Sequence, residues 1–152
     1  MLRPLSLLTT VTAVAAAASN CGSQWTVQSF TVDPPAAVGN GQTVTMAATF
    51  TIPDGTELIY EGTLRIKATV SSLFTMEIME PLCNYLECPL TAGTYTWNWT
   101  DRFPEGAYGP TQTQLTLSGS VDQKPWLCLR WSAYATGRAS NATNAVVTWL
   151  YS

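Results

Sequence analysis

The sequence contains no histidine. That removes the commonest general base and the commonest metal ligand together. Charge is scarce too: Asp, Glu, Lys and Arg make up 11% of the 152 residues, where roughly a quarter is usual. A basic stripe is also missing, because the cations Arg65, Lys67, Arg102, Lys124, Arg130 and Arg138 are scattered along the chain. An acidic chain with dispersed cations is a poor nucleic-acid binder. After residue 20 no stretch keeps a helical period and no second long apolar run follows, which points away from helical and membrane-spanning folds. The closing AVVTWLYS is apolar but shorter than the tail a GPI signal needs.

What is present begins with an export signature. Arg3 precedes an uncharged stretch from Pro4 to Ala18, which ends in the small-residue run Ala15 to Ser19. These are the parts of a secretory signal peptide, expected over residues 1–19. An uncleaved anchor fits that pattern poorly, and Asn20 is not the small residue a lipid-modified Cys21 would require. Without Arg3 the chain keeps six basic and ten acidic side chains, a formal charge of −4. The expected product is secreted and soluble, staying outside the cell or reaching a lysosomal or vacuolar lumen. The remaining length suits one domain, expected over 20–136, with a C-terminal extension at 137–152.

Export also decides the cysteines. Cys21, Cys83, Cys88 and Cys128 form an even set, and in an oxidising compartment disulfides are the default. Four cysteines allow three pairings. Cys83 and Cys88 are near enough to close a tight loop through Asn84 to Glu87, which leaves Cys21 for Cys128. Zinc is a poor rival without histidine or a second close cysteine pair; no metal and no cofactor are expected. Two sequons, at Asn98 and Asn141, mark expected surface glycosylation sites.

Strand patterns dominate the rest. TVTMAATFTI puts Val44, Met46, Ala48, Phe50 and Ile52 on one face and threonines on the other. GTLRIKATV repeats the alternation with Leu64, Ile66, Ala68 and Val70 inward; LFTMEIME aligns Phe74, Met76 and Ile78; TQTQLTLSGSV aligns Leu115 and Leu117. QWTVQSFTV and PWLCLRWSAYA supply an early and a late strand. Pro34-Pro35, Gly39-Asn40-Gly41, Pro53-Asp54-Gly55 and Gly109-Pro110 fall between these runs, as turn residues should. About seven strands with regular turns predict an all-β antiparallel sandwich or barrel.

CNYLECPLTAGTYTWNW carries the sharpest signal. In its strand Tyr95, Trp97 and Trp99 share one face and Asn98 takes the other. A glycan on Asn98 needs water, so the aromatic face should point inward, into a closed core or a cavity lining. Met46, Met76 and Phe74 on other strands would add adaptable apolar surface to such a cavity. Reversed, Trp97 and Trp99 would form an external carbohydrate-binding platform.

Read in order, the chain resembles a known family. An early cysteine is followed by VTMAATFTIPDGTELIYEGTLRI, then PLCNYLECPLTAGTY, then a Tyr-x-Pro step and a late Trp-Leu-Cys-Leu. The pattern, over Cys21 to Ala135, is similar to the lipid-recognition ML-domain family, with its Niemann–Pick C type 2 sterol-transfer and phospholipid-transfer members. The resemblance implies an immunoglobulin-like β-sandwich holding one lipid between its sheets, with disulfides Cys21–Cys128 and Cys83–Cys88. It implies tunnel-lining roles for Phe74, Phe103, Pro104 and Tyr108. A small hairpin disulfide of the sterol-transfer members has no counterpart here, and Glu105 stands where an apolar mouth residue is expected. Together with the inward positions Phe50, Leu64, Ile66, Met76, Tyr95, Trp97, Trp99 and Leu115, these residues make up the expected lipid-binding set.

The reading that follows is a monomeric, non-enzymatic carrier of a sterol or phospholipid, with transient membrane or receptor contact. A lipid-presenting recognition protein and the carbohydrate module are the rivals. Hydrolysis is the weakest reading. Glu57 and Glu61 flank apolar residues, Glu77 and Glu80 take opposite strand faces, and no nucleophile–base pair is in sight.

Overall fold

The structure is a computed structural model, which describes residues 17–120 and 123–139. Most of the expected signal peptide, the sequon at Asn141 and nearly all of the C-terminal extension lie outside the described residues. Nine strands are seen: β1 (Ala17–Asn20), β2 (Thr26–Asp33), β3 (Ala37–Asn40), β4 (Thr43–Ile52), β5 (Thr63–Val70), β6 (Phe74–Pro81), β7 (Gly93–Arg102), β8 (Tyr108–Ser118) and β9 (Leu127–Ala139). The larger sheet has the order β1-β9-β8-β5-β6, and β3 adds to β9 in parallel; the smaller sheet is β2-β4-β7. Every other pairing is antiparallel. The result is an all-β, immunoglobulin-like sandwich.

Period-two patterning builds it. In β4 the buried positions are Met46, Ala48, Phe50 and Ile52, while the threonines face out. Across the smaller sheet these outward threonines pair side by side, Thr49 with Thr96 at 3.3 Å and Thr51 with Thr94 at 3.2 Å. Such cross-strand pairs fix the register. In β7, Trp97 is buried and Asn98 exposed, so the aromatic face points inward. The core then fills with leucines of β5, β8 and β9 and with an aromatic stack. Trp25 lies 5.2 Å from Trp126 and 5.4 Å from Phe50, and Phe50 lies 6.0 Å from Tyr95.

Two disulfides staple the sandwich. Cys21–Cys128 ties the segment after β1 to β9 across 107 positions, and Cys83–Cys88 closes a five-position loop. That small loop is also buried from within: Leu82, Leu86 and Leu90 turn under the sheets, and Leu90 exchanges two backbone hydrogen bonds with Ile59.

Seven of the nine strands coincide with the runs seen in the sequence. The other two are short. β3 follows a Pro-Pro turn and shows no alternation, and β1 overlaps the last residues of the expected signal peptide. β9 runs past residue 136 to Ala139, so the expected domain boundary falls inside a strand.

Candidate functional site

The sandwich is not filled along its whole length. In the larger sheet, one row of inward residues reads Ile66, Leu115, Leu129, and the row beside it reads Leu64, Leu117, Leu127. Further along the same strands the rows change to Ala68, Thr113, Trp131 and then to Val70, Thr111, Ala133. Leucine gives way to alanine and threonine, and side-chain volume is lost. Opposite, the smaller sheet offers Val32 from β2, Val44 and Met46 from β4, and Trp99 from β7. The gap left between the sheets is a cavity of about 690 Å³, counted with its open mouth.

Met76 and Ile78 of β6 close one flank of the cavity, and Pro34 and Val38 stand on the opposite flank. Phe103 and Pro104, following β7, meet Asp101 and Arg102 at the mouth. The wall is therefore almost entirely apolar. Its polar exceptions are the two charged mouth residues and the buried hydroxyls of Thr111 and Thr113.

Ile66, Met76, Trp99, Phe103 and Pro104 of the expected set line this cavity. Phe50, Leu64, Trp97 and Leu115 are buried in the filled part of the core, and Tyr95 packs against it. Phe74 and Tyr108 differ from expectation: they are 58% and 64% exposed and do not line the cavity. The reason is position. Phe74 opens β6 at the tip of its hairpin, and Tyr108 lies on the outward parity of β8, where Thr111 and Thr113 point in. Glu105 is likewise exposed, in the loop between β7 and β8. Alternation in the sequence places Ala68 inward but does not reveal the space left beside Thr111, Thr113 and Ala133; the signal was the drop in inward side-chain size along β5 and β8.

Phe74 and Tyr108 belong instead to an apolar rim at the cavity end of the molecule. Leu73, at the hairpin tip, is 92% exposed. The hairpin turns through Ser71 and Ser72, both with left-handed backbone, and Ser71 is held by Pro110 O at 2.7 Å. Gly109 lets this contact form, since a Cβ there would collide with the Ser71 hydroxyl. Tyr134 packs edge-on against Tyr108 at 5.9 Å, and its hydrogen bond with Tyr108 raises its pKa.

A second, polar hollow, about 430 Å³ when counted with the open solvent at its mouth, adjoins the cavity at the seam between the edge strands β6 and β7. Ile78, Trp99 and Asp101 line both spaces. Here the Tyr85 hydroxyl donates to Glu80, and the Trp99 indole faces the same phenol oxygen. Burial first, then Glu80, pushes the Tyr85 pKa up to about 12, so the phenol stays a donor. Glu80 thus does more than solubilise a surface, whereas Glu77, on the outer face, pairs with Arg65 at 2.9 Å. Glu57 and Glu61 are exposed.

Fold and site together define an immunoglobulin-like sandwich with an apolar cavity between its sheets. The ML domain model matches residues 15–135, and the chain belongs to that family. Family membership makes it a member of a lipid-binding domain family. Among solved structures, a Niemann-Pick type C2 protein from Japanese carpenter ant is similar at 13% identity. The match has a TM-score of 0.59 and covers 78% of this chain and 98% of that one. The C-terminal domain of Wzt is similar at 6% identity and a TM-score of 0.53, over 80% of this chain and 78% of that one. At these identities the likeness is one of fold. No curated protein matches the sequence.

Proposed function

We propose that the protein is a secreted lipid carrier that takes one sterol- or phospholipid-type ligand between its two sheets. The observation that carries this reading is the cavity itself: an apolar gap opened by small side chains on one sheet and walled by Met46, Met76, Ile78 and Trp99. Removing apolar ligand surface from water supplies the driving force, at about 25 cal/mol per Å². A ligand burying ~400 Å² gains roughly 10 kcal/mol before ordering costs, enough for firm binding without a strong polar contact. No bond is made or broken. Trp97 is buried and Trp99 faces the cavity, so neither supports the carbohydrate-platform alternative. The exposed rim of Leu73, Phe74, Tyr108 and Tyr134 supports transient contact with the membrane that supplies or receives the ligand. Two disulfides and the export signature support passage through an oxidising compartment, where Asn98, exposed on β7, is open to glycosylation.

Mass spectrometry of gently purified protein, followed by uptake of fluorescent sterol and phospholipid by stripped protein, tests the proposal. A co-purified lipid and saturable one-to-one uptake are expected. Neither co-purified lipid nor uptake by the stripped protein would overturn it.

A further inference from the structure

Nearly all of the cavity wall is carbon, so the oxygens left in it stand out. On β8 the inward positions run Thr111, Thr113, Leu115, Leu117, and the two leucines belong to the solid core. Thr113 is the first inward residue of β8 beyond the leucine rows, so it stands at the closed end of the cavity; Thr111 is one step nearer the open end. Valine has the same shape and suits a strand as well, so neither packing nor backbone geometry demands an oxygen here. The two hydroxyls differ in what they meet. Thr111 donates to Gly109 O at 3.4 Å. Thr113 is only 8% exposed and lines the cavity, yet its hydroxyl has no hydrogen-bond partner among the described residues. Its register partners, Ala68 and Trp131, carry no side-chain acceptor for its proton. The hydroxyl is not sealed into the core as the Trp97 indole N–H is; it opens on the cavity. A buried hydroxyl costs stability unless something bonds to it. In an otherwise apolar wall, one such group sets which ligand fits.

We propose that Thr113 is a specificity-determining residue, whose hydroxyl bonds a hydroxyl or carbonyl oxygen carried within the apolar body of the ligand. The inference rests on the carrier reading and narrows the ligand to a lipid oxygenated along the part that enters the cavity. A hydroxyl both donates and accepts, so Thr113 takes either kind of oxygen. A plain hydrocarbon in the same place leaves the Thr113 hydroxyl without a partner.

Cholesterol with its ring- and side-chain-hydroxylated derivatives, and stearic acid with the hydroxystearic acids, move one oxygen along the ligand. Direct binding of both series tests the contact. In at least one series an oxygenated ligand should bind at least as tightly as its parent. Thr113→Val, which keeps the shape, should shift that preference toward the parent by about tenfold. Thr113→Ser, which keeps the hydroxyl, should preserve it. Without ligand, Thr113→Val should melt no lower than the wild type. Preference for the parent over every oxygenated derivative would overturn the proposal. So would a preference unmoved by Thr113→Val, the result expected of a hydroxyl that holds only an ordered water. A ligand-free Thr113→Val protein that melts several degrees lower would overturn it too, by revealing a partner inside the protein. Failure of every parent and derivative to bind would instead overturn the carrier reading, and this site with it.

Discussion

Single residues decide whether this sandwich is filled or hollow. Thr113 is in register with Ala68 and Trp131, just where leucine rows give way to small side chains. Thr113→Leu should fill the space, raise stability by about 1 kcal/mol as cavity filling does, and sharply reduce lipid uptake. Thermal melting and a fluorescent-lipid titration read the two effects separately; a stabilised variant that still binds lipid would place the ligand elsewhere. Trp97 shows the opposite case, a large side chain in the filled core whose indole N–H finds no acceptor among the described residues. Tyr85 carries a signature visible by titration. Its folded pKa of about 12 lies above the ordinary 10.0. The folded state therefore holds the phenolic proton longer, and the stabilisation from this group is full below pH 10 and lost as pH rises toward 12. Ultraviolet titration should show a late-ionising tyrosine. Glu80→Gln should move that ionisation downward, because it removes the carboxylate that accepts the proton and repels the phenolate.

At the scale of elements, local alternation carried most of the information. β4 matches the run TVTMAATFTI residue for residue, and the inward face of β7 follows from Asn98 taking the other side. β1 and β3 were not legible, because each has four residues and owes its place to β9 rather than to its own pattern. The site was legible in part for the same reason. Parity told which side chains point in, and so found Ile66, Met76 and Trp99; it could not tell which inward residues meet a partner and which face a gap. That depends on how far the second sheet extends over the first, a long-range property. The cysteine pairing is long-range too, yet it was readable because chain spacing left little choice. The two staples should differ in strength. Closing a 107-position loop removes about 4–5 kcal/mol of unfolded-state freedom in the entropy model, and a five-position loop roughly half of that. Replacing Cys21 and Cys128 by serine should therefore lower stability more than replacing Cys83 and Cys88. The second pair should instead affect the seam, because its loop seats Leu82 and Leu86 and carries Tyr85. Denaturant unfolding of the two double variants makes the comparison; equal losses would show that the small loop matters through packing rather than chain entropy.

The whole molecule is polarised along its length. One end is solid, with the stacked rings of Trp126, Trp25, Phe50 and Tyr95. The other end holds the cavity and, around it, the exposed Leu73, Phe74, Tyr108 and Tyr134. Large apolar side chains left in water at the open end are costly unless something covers them, and on the proposed carrier reading that something is a membrane surface. Tyrosines suit the interface between head groups and chains, while Leu73 and Phe74 are long enough to enter the acyl layer. Binding and delivery should therefore separate genetically. Replacing Leu73 and Phe74 together by serine removes side chains that each gain about 2 kcal/mol on burial. It should slow transfer of a fluorescent lipid between vesicles by roughly tenfold or more. Equilibrium occupancy and melting temperature should hardly change, since neither residue lines the cavity or belongs to the buried core. Loss of occupancy in proportion to transfer would mean instead that these two side chains fold over the ligand when it is bound, and that the rim is a lid rather than a docking surface.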